Sequence, residues 1–220
     1  MGMSRAEASR ALPGWRYLLG RMHLLVDAGS FEDALRLVND IAALAVEQDH
    51  HPDIDLRYST VHVVTSSHDV GAITDRDVRL GTAITELVDE RGLTPKHPEL
   101  TELEIAIDAM DIPAVMPFWR AITGYEPDGD ESLVDPLAIG PSIWFQQMDE
   151  PRPERNRIHI DVTVAHDESR ARVAAALEAG GVLVSDEAAP RFWVLADKEG
   201  NEACVCAWPG RDELEQGQQA

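Results

Sequence analysis

The chain has 220 residues, 44% of them hydrophobic and 27% charged, which suits a folded globular protein and excludes a disordered one. That length is long for one ordinary domain and comfortable for two. Its 40 acidic against 19 basic side chains, a formal charge of −21, argue against nucleic acid or an anionic membrane surface as a partner.

Residues 1–12 read as a flexible arm or a frayed helix. The opening string lacks an apolar signal region, and no apolar run approaches membrane-spanning length, so a cytoplasmic location is expected. Two short strands flank Gly20-Arg21 as a hairpin. Ser30 reads as a helix N-cap, and Phe31, Ala34, Leu35, Val38, Ile41, Ala42 and Ala45 follow at helical spacing. That helix delivers His50 and His51 to its C-terminal end, because Pro52 disfavours helical geometry in the residue before it. Residues 54–66, rich in Val and Thr, read as one long strand. His62 alternates there with apolar neighbours and reads as a structural strand histidine. Thr74 caps the next helix with Asp77 at its third position, and Arg91-Gly92 ends it. The order is β-β-α-β-α, an α+β domain with two helices on one face of an antiparallel sheet.

Residues 94–99 read as a linker. Beyond it, a strand–helix–strands unit occurs twice over residues 100–209. The first copy opens with the strand-like Glu102–Asp108 and a helix holding Phe118-Trp119-Arg120. Its later runs lie around Leu133 and from Ile139 to Met148. The second opens with residues 157–164, continues through a helix over 168–178, and ends in runs over 192–196 and 202–208. Glu104 and His159 hold equivalent places in the two copies. Cys204 and Cys206, two apart on a strand, share a face without the geometry to bridge and read as reduced thiols. Residues 210–220 read as a disordered tail.

The chemistry concentrates between Val46 and His68, which holds His50, His51 and His68, three of the eight histidines. Imidazole titrates nearest neutral pH and suits proton transfer. Two histidines at a helix end can also simply complement the helix dipole, and Tyr58 can be a stacking wall for a substrate or a core or cross-strand aromatic. The spacing His50-His51-Pro52, Tyr58, His68, Asp77 resembles the pterin-4a-carbinolamine dehydratase family over residues 13–93. That family's pattern is an acidic residue, three residues, His-His-Pro, five residues, an aromatic, nine residues, a His and a downstream Asp. The acidic position holds Val46 here, with Glu47 and Asp49 beside it.

The resemblance implies dehydration of a 4a-hydroxytetrahydrobiopterin to the quinonoid dihydropterin. His50 and His68 would be the acid/base groups and His51 would orient the pterin, with Asp49, Pro52, Tyr58 and Asp77 around the substrate. The resemblance further implies that no cofactor is required and that the chain forms a homodimer or higher oligomer. A regulatory or small-molecule-binding protein is the alternative, suggested by Val46.

The phrases FWRAITGYEP, NRIHIDVTV and ADKEGNEACVCAW resemble the vicinal oxygen chelate superfamily, of which glyoxalases are a branch. That implies paired βαβββ modules over residues 100–209 and a pocket holding Glu104 and His159. Metal-binding members place ligands on the first and last strands of each half. Glu104, His159 and Gln146 or Gln147 match three of those places, but the fourth holds Cys204. A divalent metal, supporting a lyase or dioxygenase, is therefore incomplete on sequence.

Overall fold

The computed structural model describes residues 2–96, 100, 102–151, 160–164 and 168–207. The chain divides into two compact units between Glu102 and Leu103.

The first unit runs α1 (Arg5–Ala11), β1 (Arg16–Leu18), β2 (Arg21–Asp27), α2 (Phe31–Gln48), β3 (Asp53–Arg57), β4 (Thr60–Thr65) and α3 (Asp75–Glu90). Its antiparallel sheet has the order β1-β2-β4-β3. Met22, Leu24 and Val26 alternate on one face of β2, beside Val61 and Val63 of β4. They share a core with Leu37 and Ile41 of α2 and Leu80, Ile84 and Val88 of α3. One apolar face per strand and one stripe per helix suffice to close this two-layer core.

Two expectations need correction. Residues 1–12 hold a packed helix rather than a flexible arm or a frayed helix. Ser4 and Glu7 form a reciprocal capping box, and Ala8 and Leu12 enter the core. Leu12 lies over Gly81 of α3, where an added Cβ would come within 2.7 Å of its Cδ1. Residues 54–66 are not one strand but most of a hairpin. β3 and β4 turn at Tyr58 and Ser59, with Arg57 paired to Thr60. Tyr58 takes a left-handed φ of 51°, rare for a bulky residue, so no Gly or Asn announces the turn. The resulting order, α-β-β-α-β-β-α, contains the expected β-β-α-β-α series with one helix and one strand added.

Helix α2 starts where Ser30 Oγ accepts from the Asp33 N–H at 3.1 Å. It ends at Gln48, two residues before His50. Asp49 takes a left-handed φ of 49°, and the His50 N–H donates back to Ala45 O at 3.1 Å. The turn at Asp49, more than Pro52, aims His50 inward.

The second unit contains β5 (Glu104–Ala109), α4 (Ile112–Thr123), β6 (Glu126–Pro127), β7 (Ser132–Val134) and β8 (Ser142–Gln147). It continues with β9 (Ile160–Thr163), α5 (Ser169–Glu178), β10 (Val182–Ser185), β11 (Phe192–Ala196) and β12 (Glu202–Cys206). The two sheets run β5-β8-β7-β6 and β9-β12-β11-β10. In each, the first strand pairs parallel with the last, and the remaining pairs are antiparallel. The internal repeat is thus a repeat of topology, with paired βαβββ modules around one core. That core joins Ile107, Phe118, Trp119 and Phe145 to Trp193, Leu195 and Val205.

Candidate active site

Asp77 is the centre of the first unit's polar groups. It is fully buried, at the third position of α3. The Thr74 N–H donates to Asp77 Oδ2 at 2.8 Å, so the carboxylate caps its own helix. The Ser67 hydroxyl donates to the same oxygen at 2.7 Å. The other oxygen, Oδ1, accepts from the Thr65 hydroxyl at 2.7 Å and from His50 Nε2 at 2.8 Å. Ser67 and Thr74 are joined by their hydroxyls at 2.7 Å, and Thr65 Oγ1 lies 3.3 Å from His50 Nε2. Burial pushes the Asp77 carboxyl up, but the bonds from His50, Ser67, Thr65 and Thr74 outweigh it and hold the carboxyl below its ordinary value. An ionised Asp77 fixes the proton of His50 on Nε2.

The expected site residues divide into those gathered here and those that are not. His50 is 7% exposed and bonded into the network. His51 is its exposed chain neighbour. His68, also exposed, follows Ser67, a member of the network. Pro52 is half-buried beside His51. Asp49 forms the turn with an exposed side chain and does not bond to His50; that role falls to Asp77. Val46 is 72% exposed, so the position of the missing acid faces solvent, as does Glu47. Tyr58 is 77% exposed at the hairpin tip, five residues of strand beyond Thr60 from the network. At about 3.3 Å per residue, roughly 16 Å separate Thr60 from Thr65, so the tip is remote from His50. Tyr58 is neither a core aromatic nor a cross-strand one.

Sequence reasoning missed Thr65 and Ser67. Their signal was a pair of hydroxyls two apart at a strand end, just upstream of a capping aspartate. It also missed His23, which is fully buried in β2. His23 Nδ1 lies 3.2 Å from Nε2 of His62, with the rings stacked at 5.3 Å. Burial, reinforced by His62 and Arg21, pushes the His23 imidazole down to about 4. His62 is held in this pair, in keeping with a structural role.

Among the described residues, the second unit does not gather its candidates. Glu104 is exposed and accepts from Ser142 Oγ at 3.3 Å. Register pairs Glu104 with Ser142 and Asp108 with Gln146, so Gln146 sits four residues further along. That is about 13 Å along the strand, too far for a common ion with bonds near 2 Å. Gln147 donates to Met110 O at 2.9 Å. Cys204 is paired in register with Asp161 of β9. Burial pushes its thiol up to about 12, and donation to Asp161 adds to this. Both cysteines are free and buried. His159 lies outside the described residues. Among the described residues no three His, Cys, Asp or Glu side chains converge on a metal-sized space. Among the described residues, Glu104, Gln146 and Cys204 do not gather as ligands for a divalent ion.

Comparison with known proteins separates the same two parts. Residues 1–87 match the pterin 4 alpha carbinolamine dehydratase family, and residues 104–206 match a glyoxalase-like domain family. A protein of Thermomicrobium roseum, provisionally named pterin-4-alpha-carbinolamine dehydratase, is 37% identical over 82 residues, spanning 37% of this chain and 88% of that protein. One of Nocardia farcinica with the same provisional name is 40% identical over 82 residues, 37% of this chain and 86% of that protein. Among solved structures, a transcriptional coactivator/pterin dehydratase from Brucella melitensis aligns with a TM-score of 0.38 and 23% identity, covering 40% of this chain and 98% of that one. A glyoxalase-related enzyme from Fulvimarina pelagi aligns with a TM-score of 0.40 and 18% identity, covering 51% and 95%.

Proposed function

Because the chain belongs, through its first unit, to the pterin-4a-carbinolamine dehydratase family, we propose that it is a hydro-lyase acting on a 4a-hydroxytetrahydropterin. The reaction breaks the C4a–O bond. The hydroxyl leaves with an added proton as water, the N5 proton is removed, and the nitrogen pair forms the C=N bond of the quinonoid dihydropterin. The step is redox-neutral and needs one acid and one base.

The observation that carries the reading is the buried His50–Asp77 pair at 2.8 Å, flanked in the chain by two exposed histidines. Burial favours a different division of labour from the sequence expectation. His50 has Nε2 committed to Asp77 and is the fixed anchor that orients the substrate. His51 and His68 face solvent and are the groups that move protons, since a general acid or base must reach the atom it serves. Asp49 and Pro52 shape the turn that presents them. Tyr58 is left out of the substrate's surroundings.

The test is single-turnover dehydration of freshly generated 4a-hydroxytetrahydropterin. A His51→Ala/His68→Ala double variant should fall to the buffer rate while remaining folded. Full turnover in that variant would overturn the reading. A homodimer or higher oligomer belongs to the same proposal. It is supported by β1 and β3, each an edge strand of a small sheet, and sedimentation would show a single monomeric species if it is wrong.

A further inference from the structure

A cavity of about 290 Å³ lies against the first unit's edge strand, between α1 and β1. Arg5 and Ser9, one helical turn apart on α1, line it together with Trp15, Arg16, Tyr17 and Leu100. Tyr17 is aligned with Met22, and Met22 with Thr65. Two strand spacings, on the order of 10 Å, therefore separate this cavity from the Asp77 network.

Its electrostatics run against those of the chain. Arg21, Arg36, Arg57, Arg76 and Arg91 of the same unit each lie against a carboxylate. Among the described residues, Arg5 and Arg16 have no carboxylate partner and no acidic side chain lines the cavity. In a chain carrying −21, two such guanidiniums in one hollow make a local positive site. The site is also braced. Arg16 Nη1 donates to Trp15 O at 2.9 Å and to Pro13 O at 3.4 Å, which fixes the guanidinium while leaving its other N–H groups to donate elsewhere. Trp15 is 2% exposed, its Nε1 donating to Thr85 Oγ1 at 3.0 Å, so the backbone that carries Arg16 is anchored in the core. Guanidinium pairs favour carboxylate and phosphate oxygens, and aromatic walls favour a flat apolar body.

We propose that this cavity binds a small organic anion carrying a planar ring, with Arg5 and Arg16 on the anionic group and the half-buried Tyr17 against the ring. The site is separate from the histidines and does not rest on the dehydratase reading. The probes are benzoate and phenyl phosphate, titrated calorimetrically into the full chain, with benzyl alcohol as the neutral match. Both anions should bind, and benzyl alcohol should bind at least about tenfold more weakly, the effect of losing one charge-assisted contact. An Arg5→Gln/Arg16→Gln variant, altered only at exposed positions, should lose anion binding by at least about tenfold while keeping its unfolding midpoint. Equal binding of the neutral match, unchanged anion binding in the variant, or no binding of either anion would each overturn the proposal.

Discussion

The two units present similar candidates in sequence, and the fold treats them in opposite ways. In the first, one buried carboxylate sits at a helix N-terminus and draws two hydroxyls, a backbone N–H and an imidazole from three separate elements. In the second, strand register spreads Glu104 and Gln146 along neighbouring strands and satisfies each locally. A polar residue becomes part of a site when several elements end at the same place, and not because a family keeps a ligand at that position. The contrast can be tested from its strongest term downward.

The largest effect is expected from Asp77→Ala. It strands His50, Thr65, Ser67 and the Thr74 N–H in the interior, and should cost about 3–5 kcal/mol in urea unfolding. Glu104→Ala, exposed in the second unit, should stay within about 0.5 kcal/mol. Similar losses for the two would erase the distinction. Next come His51→Ala and His68→Ala, each expected to slow dehydration by about 10²–10⁴-fold with an unchanged unfolding midpoint. A coincident fall in stability would make them structural.

Opposite responses to pH follow. His23 is depressed from its ordinary 6.5 to about 4, so its contribution is present above 6.5 and is lost as pH falls toward 4. Asp77, also depressed, adds a loss below the ordinary aspartate value of 3.8. Cys204 is raised from 9.0 to about 12, so its contribution is present below 9 and is lost as pH rises toward 12. Hydrogen exchange read peptide by peptide should show the first unit opening in acid and the second in alkali. Simultaneous opening at either end would contradict the assignment. The smallest effect is that of Thr65→Val, which keeps the shape and removes one donor to Asp77. It should cost about 1 kcal/mol and lower turnover modestly, since the carboxylate keeps its other partners.

Much of this was legible in sequence because it is written locally. Helical spacing from Phe31 to Ala45, the caps at Ser30 and Thr74, and the repeated strand–helix–strands pattern depend on neighbours a few residues apart. The histidine motif was expected at the end of a helix, and His50 and His51 follow the end of α2. What sequence did not show depends on partners far along the chain. Thr65 is twelve residues from Asp77, and nothing in its own surroundings says that its hydroxyl turns toward a carboxylate. The turn at Tyr58 was invisible for a different reason: tertiary context forces a tyrosine into a backbone region that glycine or asparagine normally fills. Glu47 and Asp49 both stand beside Val46, and Asp49 forms the turn. Its left-handed backbone directs His50 inward while its own carboxylate stays outside.

The close approach of Leu12 to Gly81 helps to tie the N-terminal helix to α3. Leu12 occupies the space that a Cβ on Gly81 would need, with three of its side-chain atoms within 3.4 Å of that point. Gly81→Ala favours a helix by propensity, yet at this buried position of α3 it would push Leu12 aside and loosen the seat of α1. The freed segment would offer Arg5 and Arg10 to trypsin, and the hollow between α1 and β1 would lose one wall. Because the Met3 N–H donates to Ile73 O at 2.7 Å, directly before Thr74, a loosened segment would also be felt at the turn that caps Asp77.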